Sequence, residues 1–185
     1  DAMSLALRPA LFLDRDGVIN VDHGYVHKPE QVTFIEGIFE LVKRARTAGL
    51  LVVVVTNQAG IGRGYYTEAH FHAFTAWMQA EFERRGAPID RVYFCPFHPE
   101  HGVGAYKRES NMRKPGPGML LQAAAELNID LHASLMVGDT ESDMQAGISA
   151  GVGRTVRYFS EDGPAPQSCA DAVVRALDDI NFEPS

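Results

Sequence analysis

Cysteine is scarce in this chain. Cys95 and Cys169 are the two thiols in 185 residues, too few for a disulfide scaffold and in keeping with a reducing compartment. A positive charge balance is missing too. The formal net charge is −7, so the basic footprint of a nucleic-acid binder is absent, as is a stripe of interleaved aromatic and basic residues for a single strand. No apolar run approaches the length of a membrane span. The opening residues, DAMSLALRPA, hold no basic region followed by a long apolar stretch, so a secretory leader is not expected and the cytoplasm is the expected location. The chain begins at Asp1 rather than Met, and its first residues are kept out of the fold reading. No internal repeat is visible.

What remains is an ordinary globular composition, 45% hydrophobic and 22% charged, which suits a water-soluble domain. The length allows one domain with a core of its own, so a single domain over 1–185 and a monomer are expected.

Along the chain, short apolar runs alternate with helical spacings. Leu11–Leu13 reads as a strand apolar on both faces, the mark of a central parallel strand. Residues 34–48 carry Ile38, Leu41, Val42 and Ala45 at helical spacing, closed by Gly49. The β-branched run Leu50–Val55 predicts a second buried strand. Thr67 is placed to cap a helix to about Arg85 with Phe71, Phe74, Trp77, Met78 and Phe82 on its apolar side. Strands are expected at Ile89–Phe94, Leu135–Val137 and Thr155–Tyr158, the last of these closing the sheet. Helices are expected at about 118–127, at Ser142–Ser149 and, capped by Ser168, at about 168–178. The alternation predicts an α/β doubly wound sheet, mostly parallel, with helices on both faces. The core spans about 10–158. The irregular stretch 95–117 is long enough for a loop that shapes a site.

Ligands of such sheets lie beyond the carboxyl ends of the strands. Three polar groups fall there: Asp14 with Asp16 in LFLDRDGVIN, Thr56 with Asn57 in VVVTNQ, and Asp139 in VGD. Gly17 allows the chain to turn at once after the two acids. A hard cation would relieve repulsion among Asp14, Asp16 and Asp139 and take oxygen ligands, which suits Mg²⁺ better than Zn²⁺. Asp143 lies one helical turn further on, where helix capping is an equally good role. Lys114 in MRKPGPG precedes a helix and can hold phosphate oxygens. Each residue alone has a plainer reading as a turn, a cap or a solvated lysine. Together they point to phosphoryl transfer, with small phosphorylated metabolites as the expected partners.

DRDG at 14–17, TN at 56–57, RKP at 113–115 and GD followed by Asp143 resemble, in order and separation, the four motifs of the haloacid dehalogenase (HAD) superfamily. More narrowly, DRDGVINVDHGYV, VVVTNQAGIGRG, RKPGPGML and VGDTESDMQAG are similar to the heptose 1,7-bisphosphate phosphatase family, with histidinol-phosphate phosphatases as near relatives. The resemblance covers about 10–158. It implies a HAD-like Rossmannoid fold without a large cap domain, and a two-step covalent mechanism. Asp14 would be the nucleophile and Asp16 the general acid, then base. Mg²⁺ would be held by Asp14, the carbonyl of Asp16, and Asp139. Thr56 and Lys114 would grip the transferring phosphoryl group with Asn57 nearby, and Arg113 would engage the sugar or second phosphate. Asn20 and Arg63 sit in matching segments and are carried as substrate-side candidates.

The family also implies a zinc site in the long loop, built from Cys-x-His and Cys-x-Cys. Here those pairs read Cys95, Phe97 and Ser110, Met112. One ligand of four remains, so structural Zn²⁺ is not expected, and Phe97 and Met112 offer apolar bulk to hold the loop instead. Cys95, His98 and His101 have metal-ligand spacing there, with a buried thiol and surface histidines as the plainer reading. Thr140 stands where the narrower family commonly has Lys, which leaves the exact heptose substrate open. Alternatives are histidinol phosphate or another small phosphorylated metabolite as substrate, or a non-catalytic binding protein on the same fold.

Overall fold

The computed structural model describes residues 6–182. Six strands form one sheet: β1 (Ala10–Leu13), β2 (Leu51–Asn57), β3 (Arg91–Cys95), β4 (Leu135–Gly138), β5 (Arg154–Tyr158) and β6 (Ala172–Val174). Their spatial order is 3-2-1-4-5-6, and every pairing is parallel. This is the doubly wound order, and its direction reverses between β1 and β4. Five helices cover the two faces: α1 (Ile38–Thr47), α2 (Ala59–Gly62), α3 (Glu68–Arg84), α4 (Gly118–Leu127) and α5 (Glu141–Ala150). Among the described residues there is no separate cap domain.

The two-residue period of β1 sorts the core. Leu11 and Leu13 face one apolar cluster with Val52, Val54, Val137, Leu41 of α1 and Phe82 of α3. Ala10 and Phe12 face the other, with Val53, Val55, Met136, Leu120 of α4 and Met144 of α5. Each fully buried Leu or Phe contributes about 1.5–3 kcal/mol over its exposed form, and both faces of β1 are buried throughout. That is why the central strand tolerates no polar residue until it ends, and why the first polar side chain after it is Asp14.

Local signals act as expected at most helix ends. The Thr67 hydroxyl accepts the His70 N–H at 3.1 Å, capping α3. Gly49 and Gly86 take positive φ after α1 and α3, where glycine avoids the Cβ clash. The C-terminal segment departs from the expected helix at about 168–178. Ala172–Val174 instead pairs with Val156–Tyr158 and becomes the edge strand of the sheet, so the strand at Arg154–Tyr158 is not the last. Two adjacent valines fit a pleated edge as well as a helix, and the open edge of β5 decides between them. The short helix α2 was also not expected; two of its four residues are glycine. No helix among the described residues is long and apolar enough to cross a membrane.

The 95–117 loop lies over the β3 side. Phe97 and Met112 pack against the same cluster that buries Cys95, and the Arg108 guanidinium sits 4.6 Å from the Phe97 ring centre. His98 is committed locally: its Nδ1 accepts the backbone N–H groups of Glu100 and His101. A backbone bond from Val103 to the Gly62 carbonyl, 2.8 Å, ties the loop to α2.

Candidate active site

A cavity of about 440 Å³ opens over the carboxyl ends of β1, β2 and β4, at the reversal of strand order. Asp14 leaves β1 directly into its floor and is 8% exposed. Its N–H donates to the Val137 carbonyl of β4 at 3.1 Å, so the neighbouring strand fixes the backbone of the expected nucleophile. Gly17 makes the turn that brings Asp16 back, with φ of +96°. A Cβ there would stand 2.0 Å from Asp139 Oδ2. Glycine is therefore required twice, for the turn and for the approach of Asp139.

Lys114 comes from the far end of the long loop and is 4% exposed. Its ammonium donates to Asp14 Oδ1 at 2.8 Å, to Asp143 Oδ1 at 2.6 Å and to the Val55 carbonyl at 2.9 Å. All three ammonium hydrogens are thus used. Burial works against its charge, but Asp14 and Asp143 outweigh it and raise the lysine above its ordinary range. Asn57 holds the segment that delivers it: the Asn57 amide accepts the Lys114 N–H at 3.0 Å and donates to the Lys114 carbonyl at 3.1 Å.

Asp143 takes the capping role and adds a second, to Lys114. It sits in the first turn of α5, and its Oδ2 accepts the N–H groups of Asp139 and Thr140 at 3.2 and 3.1 Å and the Thr140 hydroxyl at 2.9 Å. Its other oxygen orders Lys114. One carboxylate therefore caps a helix and aims the lysine.

One oxygen each from Asp14, Asp139 and Asp143 lies within 4.8 Å of the others. Burial is the main cause that pushes Asp14 well above the usual carboxylate range, with Asp143 and Asp139 adding to it and Lys114 opposing. Burial, then Asp143, lifts Asp139 to about 6. Asp139 Oδ1 is buried and has no hydrogen-bond partner. An orphaned carboxylate oxygen close to oxygens of two further carboxylates fits a hard divalent cation such as Mg²⁺.

The remaining candidates sort by position. Asp16, Asn57 and Arg113 line the cavity, and Arg113 also borders a second opening of about 580 Å³ with Glu109, Ser110 and Asn111. Asn20 does not line it. It is 1% exposed and donates its amide to Asp16 Oδ1 at 3.0 Å, so it stands behind the acid and orients it. Thr56 is fully buried and accepts the Gln58 amide at 2.9 Å. Arg63 lies outside the lining, half-buried at the end of α2.

Sequence reasoning passed over Arg15, Gln58, Tyr25 and Tyr66. Arg15 is buried and donates to Asp16 Oδ1 and the Val26 carbonyl, with its guanidinium 4.8 Å from the Phe74 ring centre. Tyr25, in the left-handed backbone region at φ +54°, and Tyr66 form part of the cavity wall. The only advance signal was adjacency: Arg15 lies between the two acids, and Gln58 follows Thr56 and Asn57.

Two acids after the first strand of a 3-2-1-4-5-6 sheet, answered by a lysine from a late loop and an acid after the fourth strand, define a HAD-type hydrolase. A family model described as HAD-hydrolase-like matches residues 111–158. The D-glycero-alpha-D-manno-heptose-1,7-bisphosphate 7-phosphatase of Burkholderia mallei is 57% identical over 171 residues, covering 92% of this chain and 90% of that protein. The D-glycero-beta-D-manno-heptose-1,7-bisphosphate 7-phosphatase of Vibrio cholerae is 48% identical over 178 residues, covering 94% of each. Among solved structures, the D,D-heptose 1,7-bisphosphate phosphatase from B. bronchiseptica complexed with magnesium and phosphate superposes with a TM-score of 0.76 at 29% identity, covering 91% of this chain and 93% of that one. The chain belongs to the heptose 1,7-bisphosphate phosphatase family of the HAD superfamily.

Proposed function

We propose that this chain is a Mg²⁺-dependent phosphomonoesterase that removes the C7 phosphate of D-glycero-D-manno-heptose 1,7-bisphosphate. The observation that carries the reading is the Lys114 ammonium shared between Asp14 and Asp143 at the floor of a small cavity, next to the orphaned oxygen of Asp139. The greater identity to the relative named for the alpha bisphosphate, 57% against 48%, supports the alpha anomer. A monomer in the cytoplasm fits a chain that buries its own two-sided core and keeps both cysteines free.

Asp14 attacks the phosphorus, and the bond from phosphorus to the C7 oxygen breaks as the new bond to the carboxylate forms. Asp16 gives its proton to the departing alkoxide. Water then attacks the aspartyl-phosphate while Asp16 takes a proton back, which restores both acids. The positive charge of Lys114, beside Asp14 Oδ1, offsets the charge of the transferring phosphoryl group and opposes the burial that disfavours an ionised Asp14. Arg113, on the cavity wall, takes the sugar or the second phosphate. The carboxylates of Asp14 and Asp139 and the main-chain carbonyl of Asp16 would hold the cation, whose charge offsets that of the transferring group.

The test is phosphate release with Mg²⁺ from both heptose 1,7-bisphosphate anomers and from histidinol phosphate. Preference for the alpha bisphosphate is expected. Faster turnover of histidinol phosphate, or turnover of neither, would overturn the substrate assignment.

A further inference from the structure

We propose that Gln58 and Tyr66 form a positioning pair that aims one oxygen of Asp16 at the reacting bond. The proposal rests on the reading of Asp16 as the proton carrier and names the groups that make it one.

The two oxygens of Asp16 are treated differently. Oδ1 accepts from Arg15 Nη2 at 3.0 Å, Arg15 Nε at 3.3 Å and Asn20 at 3.0 Å. Those donors saturate it and turn it away from chemistry. Oδ2 accepts from one side-chain donor, Gln58 Nε2 at 3.2 Å. Asp16 and Gln58 both line the cavity, so Oδ2 is the oxygen left to exchange a proton, and the Gln58 amide sets its direction.

The amide cannot be turned over freely. The Gln58 nitrogen lies between two site residues, donating to Asp16 Oδ2 and to the Thr56 hydroxyl. At its other end Gln58 Oε1 accepts the Tyr66 hydroxyl. A phenol is a donor at neutral pH, and burial, more than any nearby charge, pushes that of Tyr66 further up, to about 12. The ring is fixed in turn. It stacks on His27 at 4.6 Å and 7°, and a Cβ at Gly60 would stand 2.3 Å from it. Gly60 therefore lets the ring come close enough to lock the amide.

A buried glutamine is often just a satisfied polar group. Here both bonds of Nε2 end on site residues, Asp16 and Thr56, and neither goes to backbone. Asn57, one residue earlier, does the opposite and clasps the backbone of Lys114. Consecutive residues at the end of β2 thus order the two halves of the site.

Leaving-group dependence separates positioning of a general acid from plain structural support. An alkyl phosphate needs its alkoxide protonated, and p-nitrophenyl phosphate does not. Gln58→Met keeps the length and removes the donor. It is expected to lower kcat/KM, which reports the step that forms the aspartyl-phosphate, by about 30-fold on an alkyl phosphate and by less than about 3-fold on p-nitrophenyl phosphate. Tyr66→Phe should give a weaker loss of the same selectivity, about 5-fold on the alkyl ester, and it serves if Gln58→Met fails to fold. Equal losses on the two esters, or no loss, would overturn the proposal. Asp16→Ala and Asp14→Asn run alongside. If Asp16→Ala shows no selectivity for the alkyl ester, Asp16 is not the acid and the pair falls with it. If Asp14→Asn stays active, the phosphatase reading itself is what failed.

Discussion

Helix α5 begins with two acids that lie two residues apart and live in different worlds. Asp143 is 1% exposed. It answers a buried lysine and adds to the like-charge pressure on Asp14 and Asp139. Glu141 is half-exposed and binds the Arg157 guanidinium at 2.7 Å, the Ser168 hydroxyl at 2.5 Å and the Cys169 N–H at 2.6 Å. It fastens the segment that leads into β6. Its own carboxyl falls to about 2, because bonds from Ser168, Cys169 and Arg157 outweigh the burial that opposes them. Asp139, by contrast, is lifted to about 6. The same helix end therefore carries an acid held ionised for architecture beside acids kept under strain for chemistry, and only burial and the sign of the neighbours tell them apart.

The largest expected effect lies on the chemical side. Asp14→Asn should lose on the order of 10³-fold or more in kcat while its melting temperature holds or rises, since the substitution removes a buried charge. A parallel fall in stability would show the cluster to be structural. Asp143→Ala comes next. Breaking a buried pair typically costs about 3–5 kcal/mol. The low end, about 3 kcal/mol, is expected here because the repulsion on Asp14 and Asp139 is relieved, and urea unfolding reads it. Phe97→Ala, which strips apolar packing from the loop, should cost about 1–2 kcal/mol for a half-buried ring and leave metal content unaltered. Stoichiometric zinc in the purified protein would contradict the apolar account of that loop.

Glu141→Gln should change stability least at neutral pH, and its signature is the pH dependence. A depressed folded-state pKa contributes stability above the unfolded value, and the contribution is lost as pH falls from about 4.5 toward 2. Glu141→Gln should flatten that slope. Asp139 has the opposite sign. Its raised pKa makes the cation-free protein more stable as pH drops through about 6, and added Mg²⁺ should erase that gain. Unfolding curves at pH 5 and 7, with chelator and with Mg²⁺, check it.

The contrast also marks how far the sequence was legible. The four motif segments and the alternation of Leu11–Leu13, Leu50–Val55 and Leu135–Val137 with helical spacings indicated the sheet and the strand ends that carry the polar groups, because local apolar runs and strand-end acids are local signals. The edge was not legible. Ala172–Val174 became a strand only because β5 offers an unpaired edge, which is a long-range fact. The same holds inside the site. Nothing in the spacing separates Asn57, which clasps the Lys114 backbone, from Gln58, which reaches Asp16 42 residues away. Nor does it show that Asn20 and Arg15 both serve Asp16.

The most direct test of the central claim is an acid quench during turnover of a ³²P-labelled phosphate ester. The account predicts label bound to the chain at Asp14, released by hydroxylamine as an acyl phosphate would be, and absent from Asp14→Asn. Label on no residue during active turnover, or label that persists in Asp14→Asn, would contradict it.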